Sequence, residues 1–343
     1  MNIELIAKKA GVSRATVSRV INHFPGVKEE TRKKVEAVIN ELNYIPSAAA
    51  RSLVRKRSNI IGALIYNITQ PFWGNYISGI EDGVAATSYG LFFANSKKHQ
   101  TFWDYQKTYK DNLKNLVSHG VDGVIMTLLN DLEKEDIDFL ESVNIPYIVM
   151  QNCLDDPRIV SVNVDNVKGA YDATNYLIGL GHKSIGHITG LLTSGIGKSR
   201  LQGFSQAMEH AGLQVAPDNI VNGGHSFKDG YWGMKQLMAH DNPPTAIFFG
   251  SDESAYGGIY AAGEMNIRVP EDVSIIGFDG IRDTFDHSAY LPVLTTMKQP
   301  THEMGKIAAE MMVAWLDGER PKEPTIIMDA TLTEGKTCLP PKK

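Results

Sequence analysis

Cysteine is scarce in this 343-residue chain: Cys153 and Cys338 are the only two. Two thiols exclude a disulfide framework and a four-ligand zinc site. No apolar run approaches the ~20 residues that a membrane-spanning helix needs. The opening segment, MNIELIAKKAG, lacks the apolar stretch of a signal peptide, so a cytoplasmic location is expected. Catalytic signatures are missing as well. Gly197-Lys198-Ser199 ends like a phosphate-binding loop, but Leu192 stands where that loop needs glycine. Gly195-Ile196-Gly197 opens like a dinucleotide fingerprint, yet Arg200 replaces its last glycine. There is no H-E-x-x-H and no G-x-S-x-G, and the ten histidines are scattered without ligand spacing. The expectation is a protein with no catalytic activity, no metal and no cofactor.

Charge is present but unevenly spread. The whole chain carries −5, which by itself argues against a polyanionic partner. Residues 1–57 hold twelve Lys/Arg against five acids, a net of +7, which leaves −12 on the remainder. A basic module fused to an acidic one is the electrostatic footprint of a nucleic-acid-binding end.

That basic segment is also periodic. Ile3, Ile6, Ala7 and Ala10 share one helical face, and Ala15, Val17, Val20 and Ile21 repeat the period over 14–22. Between them, Gly11 supplies the positive φ of a tight turn, and Ser13 can cap the second helix. A third helix is expected from about Glu29 to Leu42, with Val35, Val38, Ile39 and Leu42 inward. Two short helices across a three-residue turn, packed by a third, make a helix-turn-helix. Its second helix would lie in a major groove of double-stranded DNA. Arg14, Ala15 and Arg19 would then face base edges, since arginine can bond bidentately to guanine and Ala15 can offer a methyl contact. Ser13, Thr16, Ser18, Asn22 and Thr31 are short polar groups suited to phosphates.

Asn43-Tyr44-Ile45-Pro46 stops the third helix, because the residue before proline is pushed out of α geometry. The stretch 47–55 that follows has good helix-forming composition but only about two turns, and so would be marginal alone. Flanked by Arg51 and Arg55, it could order on the phosphate backbone. From Ile60 the pattern changes to short apolar runs alternating with helical segments. The runs are 60–66, 90–94, 121–126, 145–150, 159–164, 185–189, 245–250 and 273–278. Continuous apolar strands suit a parallel sheet covered on both faces. Eight of them exceed one comfortable sheet, so two lobes are expected.

The run IAKKAGVSRATVSRVIN, continued by VKEETRKKVEAVINELNYIPSAAARSL, resembles the lactose/galactose-repressor family of bacterial transcription regulators. Later landmarks are co-linear with it: Gly62-Ala63-Leu64-Ile65, Gly120-Val121-Asp122-Gly123, Gly181-His182-Lys183-Ser184, Arg200-Leu201-Gln202-Gly203-Phe204 and Val269-Pro270-Glu271-Asp272-Val273. The resemblance implies an all-α helix-turn-helix headpiece over 1–45 and a hinge helix and linker over 46–58. Residues 59–343 would form a two-lobed α/β domain, similar to periplasmic binding proteins, for effector binding and dimerisation. It implies a homodimer on a pseudo-palindromic operator, with Leu53 wedged into a minor-groove base step. No leucine heptad follows the last strand, so a dimer rather than a tetramer is expected.

The resemblance also places a small-molecule effector between the lobes. Arg200 and Asp279 match positions that grip the effector, and Phe72 and Trp73 match positions that line the cleft. Asp165 and Asp252 also end apolar strands, where ligands of open sheets bind, but each could equally be a helix cap or a structural ion pair. Where purine-responsive relatives place an arginine and a threonine, this chain has Ser194 and Ile196. Where sugar-responsive relatives often place an aspartate it has Gln151, and where some have asparagine it has Ser251. A sugar is the expected effector, and a repressor of carbohydrate use the expected role. The variants are a corepressor-dependent or activating regulator and, least favoured, a sugar receptor with no role on DNA.

Overall fold

The structure is a computed structural model that describes residues 3–22, 24–44, 57–96, 102–128, 131–281 and 292–342. It divides into two compact units, residues 1–59 with 120–122, and residues 60–119 with 123–343.

The first unit carries three helices: α1 (Ile3–Ala10), α2 (Arg14–Ile21) and α3 (Glu29–Glu41). Gly11 takes φ +68° in the turn between the first two. Ser13 caps α2, its hydroxyl accepting the Thr16 N–H at 3.1 Å. The core is small: Ile6, Ala7, Val17, Val20 and Val35 are buried, with Ile3, Ala10, Ile21, Val38, Ile39 and Leu42 packed around them. The expected inward faces are thus found, with one correction. Ala15 is exposed, because the 100° step per residue turns it away from Val17 and Val20.

The second unit is built on two six-stranded sheets. Its elements are β1 (Ile60–Ile65), α4 (Pro71–Val84), β2 (Gly90–Asn95), α5 (Phe102–Ser118), β3 (Gly123–Thr127), α6 (Lys134–Ser142), β4 (Tyr147–Met150) and β5 (Val160–Val164). They continue with α7 (Asn166–Gly179), β6 (Ile185–Ile188), α8 (Gly195–His210), β7 (Ile220–Val221), α9 (Phe227–Met238), β8 (Ala246–Phe249), α10 (Asp252–Glu264) and β9 (Ser274–Asp279). The last are β10 (Thr295–Lys298), α11 (Thr301–Leu316), β11 (Thr325–Met328) and β12 (Thr331–Thr333). One sheet runs β11-β5-β4-β3-β1-β2, the other β12-β10-β9-β8-β6-β7. All eight apolar runs are strands. Their pairing is parallel, and only β12 lies antiparallel, against β10. The strands β7, β10, β11 and β12 were not foreseen. β7 has two residues, β10 is mixed in polarity, and β11 and β12 are short, half exposed and at sheet edges, so none presents an apolar run of ordinary strand length.

The buried central strands β3, β4 and β8 explain the parallel arrangement, since helices cover both faces. Close helix packing needs missing side chains. A Cβ on Gly79 of α4 would lie 1.9 Å from the His302 carbonyl oxygen of α11. The chain passes between lobes three times, from β5 to α7, from β10 to α11 and from β11 to β12. Asn166 and Gln299 sit at the first two passages. Among the described residues no helix is long and apolar enough to cross a membrane, and no cluster of His, Cys, Asp and Glu could hold a metal.

Candidate functional site

Two sets of residues carry candidate function, one in each unit. On the headpiece, α2 buries Val17 and Val20 and turns Arg14, Ala15 and Arg19 outward. Arg14 pairs with Glu4 at 2.9 Å, both side chains being more than half exposed. Such a pair is weak in water and can exchange for a phosphate or a base edge. Ser13 and Thr16 are hydrogen-bonded to each other at 2.9 Å at the N-terminal end of α2. Ser18 and Thr31 are half-buried. Asn22 departs from the expectation of a phosphate contact. It is 7% exposed, and its amide donates to the Ser18 carbonyl at 2.9 Å. The residue ends α2, and its side-chain amide adds a second donor to the Ser18 carbonyl, which already accepts the Asn22 backbone N–H at 3.0 Å. Arg51 and Leu53 lie outside the described residues.

In the second unit, Arg200 is the centre. It projects from α8 and is 2% exposed. Its Nε donates to Asn166 Oδ1 at 2.9 Å, and its Nη1 donates to the Gly250 carbonyl. The guanidinium lies 3.8 Å from the centroid of the Phe278 ring. Asp279 Oδ1 stands 3.5 Å from Nη1. A buried guanidinium needs such partners, because an unpaired charge here would be costly. Burial pushes the Asp279 carboxyl well above the usual range; Arg200 counters this, and the neighbouring Asp252 adds to it.

A polar chain leads from this pair across to the other lobe. Gln299 Nε2 donates to Asp279 Oδ1 at 2.7 Å. Gln151 Nε2 donates to Gln299 Oε1 at 2.5 Å and to the Tyr76 hydroxyl at 2.8 Å. Tyr76 belongs to an aromatic cluster on α4, with Trp73 stacked at 5.9 Å and Phe72 edge-on at 5.6 Å. Burial pushes the Tyr76 phenol far above its ordinary range, so it stays protonated. The Gln151 Oε1 atom is buried and has no partner among the described residues. An unmet buried acceptor is costly unless a ligand or water donates to it.

Gln151 and Asp279 share a second feature. Both follow or end a strand, β4 and β9, and both hold a positive φ, +66° and +133°. Non-glycine residues in that region store strain, which gathers at binding sites. Both lie at strand C-termini, where open sheets take ligands.

The other candidates are committed elsewhere. Asp165 caps α7, its carboxylate accepting the Lys168 N–H at 2.8 Å. Asp252 is wholly buried and accepts from the Thr296 hydroxyl at 2.6 Å, from Gly280 N–H at 2.7 Å and from Ile281 N–H at 2.8 Å. It holds the loop that follows Asp279. The two readings open for these carboxylates resolve toward a helix cap and a loop anchor. Ser194 and Ser251 are N-caps of α8 and α10. Sequence reasoning missed Tyr76, Asn166 and Gln299. Tyr76 lies one helical turn beyond Phe72, and that spacing was the one signal available.

This arrangement pairs a basic three-helix headpiece with a two-lobed sensor that has a buried Arg–Asp centre. Residues 2–47 match the family described as bacterial regulatory proteins, lacI family, and residues 174–338 match a periplasmic binding protein-like domain. The HTH-type transcriptional repressor PurR of Proteus mirabilis is 37% identical over 337 residues, 98% of this chain and 96% of that protein. Catabolite control protein A of Priestia megaterium is 34% identical over 322 residues, 93% of this chain and 94% of that protein. Among solved structures, the Lac repressor dimer bound to operator and the anti-inducer ONPF superposes with a TM-score of 0.85 at 26% identity, covering 99% of both chains. A complex of the transcriptional regulator CelR with cellobiose gives 0.72 at 26% identity, over 98% of this chain and 99% of that one. Helix-turn-helix, two-lobed sensor and near full-length similarity agree: the chain belongs to the lacI family of bacterial regulatory proteins.

Proposed function

We propose that the chain is a cytoplasmic homodimeric repressor whose grip on a pseudo-palindromic operator is controlled by a sugar bound between its lobes. Residues 1–45 read DNA, 46–58 form the hinge with Leu53 as its wedge, and 59–343 sense the effector and pair the subunits. No catalytic step is part of this function. The observation that carries the DNA role is the outward face of α2, where Arg14, Ala15 and Arg19 stand clear of a core formed by Val17 and Val20. Two such helices, one per subunit, would enter successive major grooves. An electrophoretic shift with genomic fragments at near-physiological salt tests it. One fragment set should be retained selectively, and uniform binding to all fragments would remove the regulator reading.

The sugar reading rests on the chemistry of the cleft. Asp279 and the Gln151 Oε1 atom offer acceptors, Arg200 offers donors, and the α4 aromatics offer a face. A polyol supplies several donors and acceptors within one ring and an apolar face for stacking. The CelR complex with cellobiose has the same fold. Differential affinity for the two lobe arrangements is what would let the sugar shift operator binding. Thermal-shift screening of the full chain should find sugars that raise the melting temperature in a concentration-dependent way. Purine bases are the counter-panel, and a response to them alone would replace the sugar.

A further inference from the structure

The two lobes touch through groups that the Arg200 centre does not use. Asp131 follows β3 in the first lobe. Its Oδ1 accepts the Cys153 N–H of the same lobe at 2.8 Å. Its Oδ2 accepts the Gly195 N–H of the opposite lobe at 3.0 Å. Gly195 is the first residue of α8, the helix that carries Arg200. The approach there is close: a Cβ on Gly195 would come within 2.3 Å of Cys153 Cβ and 2.8 Å of Asp131 Oδ2. Gln70, in front of α4, donates to the Glu253 carboxylate of α10 in the other lobe. Gln70 is itself held by Trp73, whose Nε1 donates to Gln70 Oε1 at 3.2 Å.

We propose that Asp131 is a clasp residue that holds the two lobes closed and so positions Arg200 for the effector without touching it. The inference rests on the effector reading of the cleft only for its purpose; the clasp itself is made by the chain's own residues. A carboxylate suits this task. It accepts two N–H groups at once, one from each lobe, and Gly195 N–H is among the helix-start donors that lack a partner within the helix. Ser194 already serves Gly197 N–H at 3.2 Å, so Asp131 supplies the acceptor that the cap does not. Gly195 is the matching half, because any side chain there keeps the lobes apart. The Gln70–Glu253 bond is a second strut of the same closure. Loss of Asp131 therefore loosens Trp73 as well, although the two are not in contact.

Hydrogen exchange on the full chain without ligand or DNA tests this. In Asp131→Ala, a peptide over 193–198 should exchange about tenfold faster than in the parent chain. Peptides over 68–76 and 251–256 should also exchange faster, and acrylamide should quench tryptophan fluorescence more readily. Peptides from β3 and β8 should stay unchanged. Asp131→Asn keeps one acceptor and should fall between. Gly195→Ala should reproduce the remote changes by a steric route, which keeps the test decisive if Asp131→Ala folds poorly. Faster exchange confined to 193–198 would make Asp131 a local cap, and unchanged exchange would remove its role altogether; either overturns the clasp. Because no sugar or operator enters the experiment, its failure is distinct from failure of the functional reading.

Discussion

The headpiece and the sensor solve opposite problems. The headpiece buries Ile6, Ala7, Val17, Val20 and Val35, and keeps its candidate reading groups, Arg14 and Arg19, in water. The sensor buries its candidate groups: Arg200, Gln151 and Gln299 are at most 4% exposed. A surface that reads DNA needs charge in solvent, where phosphates and base edges can reach it. A cleft that must discriminate small polar molecules needs charge out of solvent, where each unmet hydrogen bond is costly. The first arrangement needs only a face that stays outside. The second needs a network, because each buried polar atom must find a partner in a distant part of the chain.

Arg200→Ala should break the sensor side most severely. It removes the buried cation beside Asp279 and the donor to Asn166 and the Gly250 carbonyl, which costs about 3–5 kcal/mol. Chemical denaturation of the sensor should show the loss, and sugar-induced thermal shifts should vanish while the headpiece keeps its helicity. Ile6→Ala strikes the other region. A core of so few side chains cannot absorb a loss of about 2–5 kcal/mol. Operator binding should disappear, while the sensor melts at its original temperature. Retention of operator binding would mean that the headpiece core is larger than these residues. Arg19→Ala should be milder, about 1–3 kcal/mol at one base pair of each half-site. A loss spread evenly over all site variants would make Arg19 a phosphate contact.

The smallest expected effect is a pH dependence confined to the sensor. His187 is stacked between Phe248 at 4.6 Å and Phe204 at 5.0 Å, and burial holds it down to about 4. His225 is also held down to about 4 by burial. A depressed histidine is neutral in the folded state while the unfolded chain takes up protons. Its contribution is present above pH 6.5 and is lost as pH falls toward 4. His187→Phe keeps the stack and removes the titration. Thermal unfolding of the variant should therefore lose roughly 1–2 kcal/mol less than the parent between pH 7.5 and 5. Equal losses would assign the acid sensitivity to other groups. The raised Asp279 works in the opposite sense, favouring the folded state as pH falls, so Asp279→Asn should steepen the acid loss.

Legibility differed between the same two regions. Helices α1 to α3 and the Ser13 cap could be read from local spacing, because a helix is made of contacts three and four residues apart. Eight strands were visible from their apolar runs; seven of them are largely buried, whereas β2, at a sheet edge, shows the run Leu91-Phe92-Phe93 without being buried. β10 was not visible, since its Thr295-Thr296-Met297-Lys298 is mixed in polarity although three of the four residues are buried. Of the cleft, Arg200, Asp279, Trp73 and Gln151 were reached through resemblance to a family. Gln299 had no local mark at all: its partners Gln151 and Asp279 lie 148 and 20 residues away. Asp165 and Asp252 looked alike in sequence, each a carboxylate after an apolar strand. Only the hydrogen bonds of Asp252 to Gly280, Ile281 and Thr296 separate a loop anchor from a helix cap.

Sequence alone determined the charge division, the helix-turn-helix and the two-lobed α/β class, because these follow from composition, from the 3.6-residue helical period and from continuous apolar runs. Tertiary structure decided which polar groups meet. The hydrogen bonds around Arg200, the strained φ of Gln151 and Asp279, and the Asp131 bond to Gly195 join segments far apart in the chain. They exist because buried donors and acceptors must pair wherever the fold brings them together.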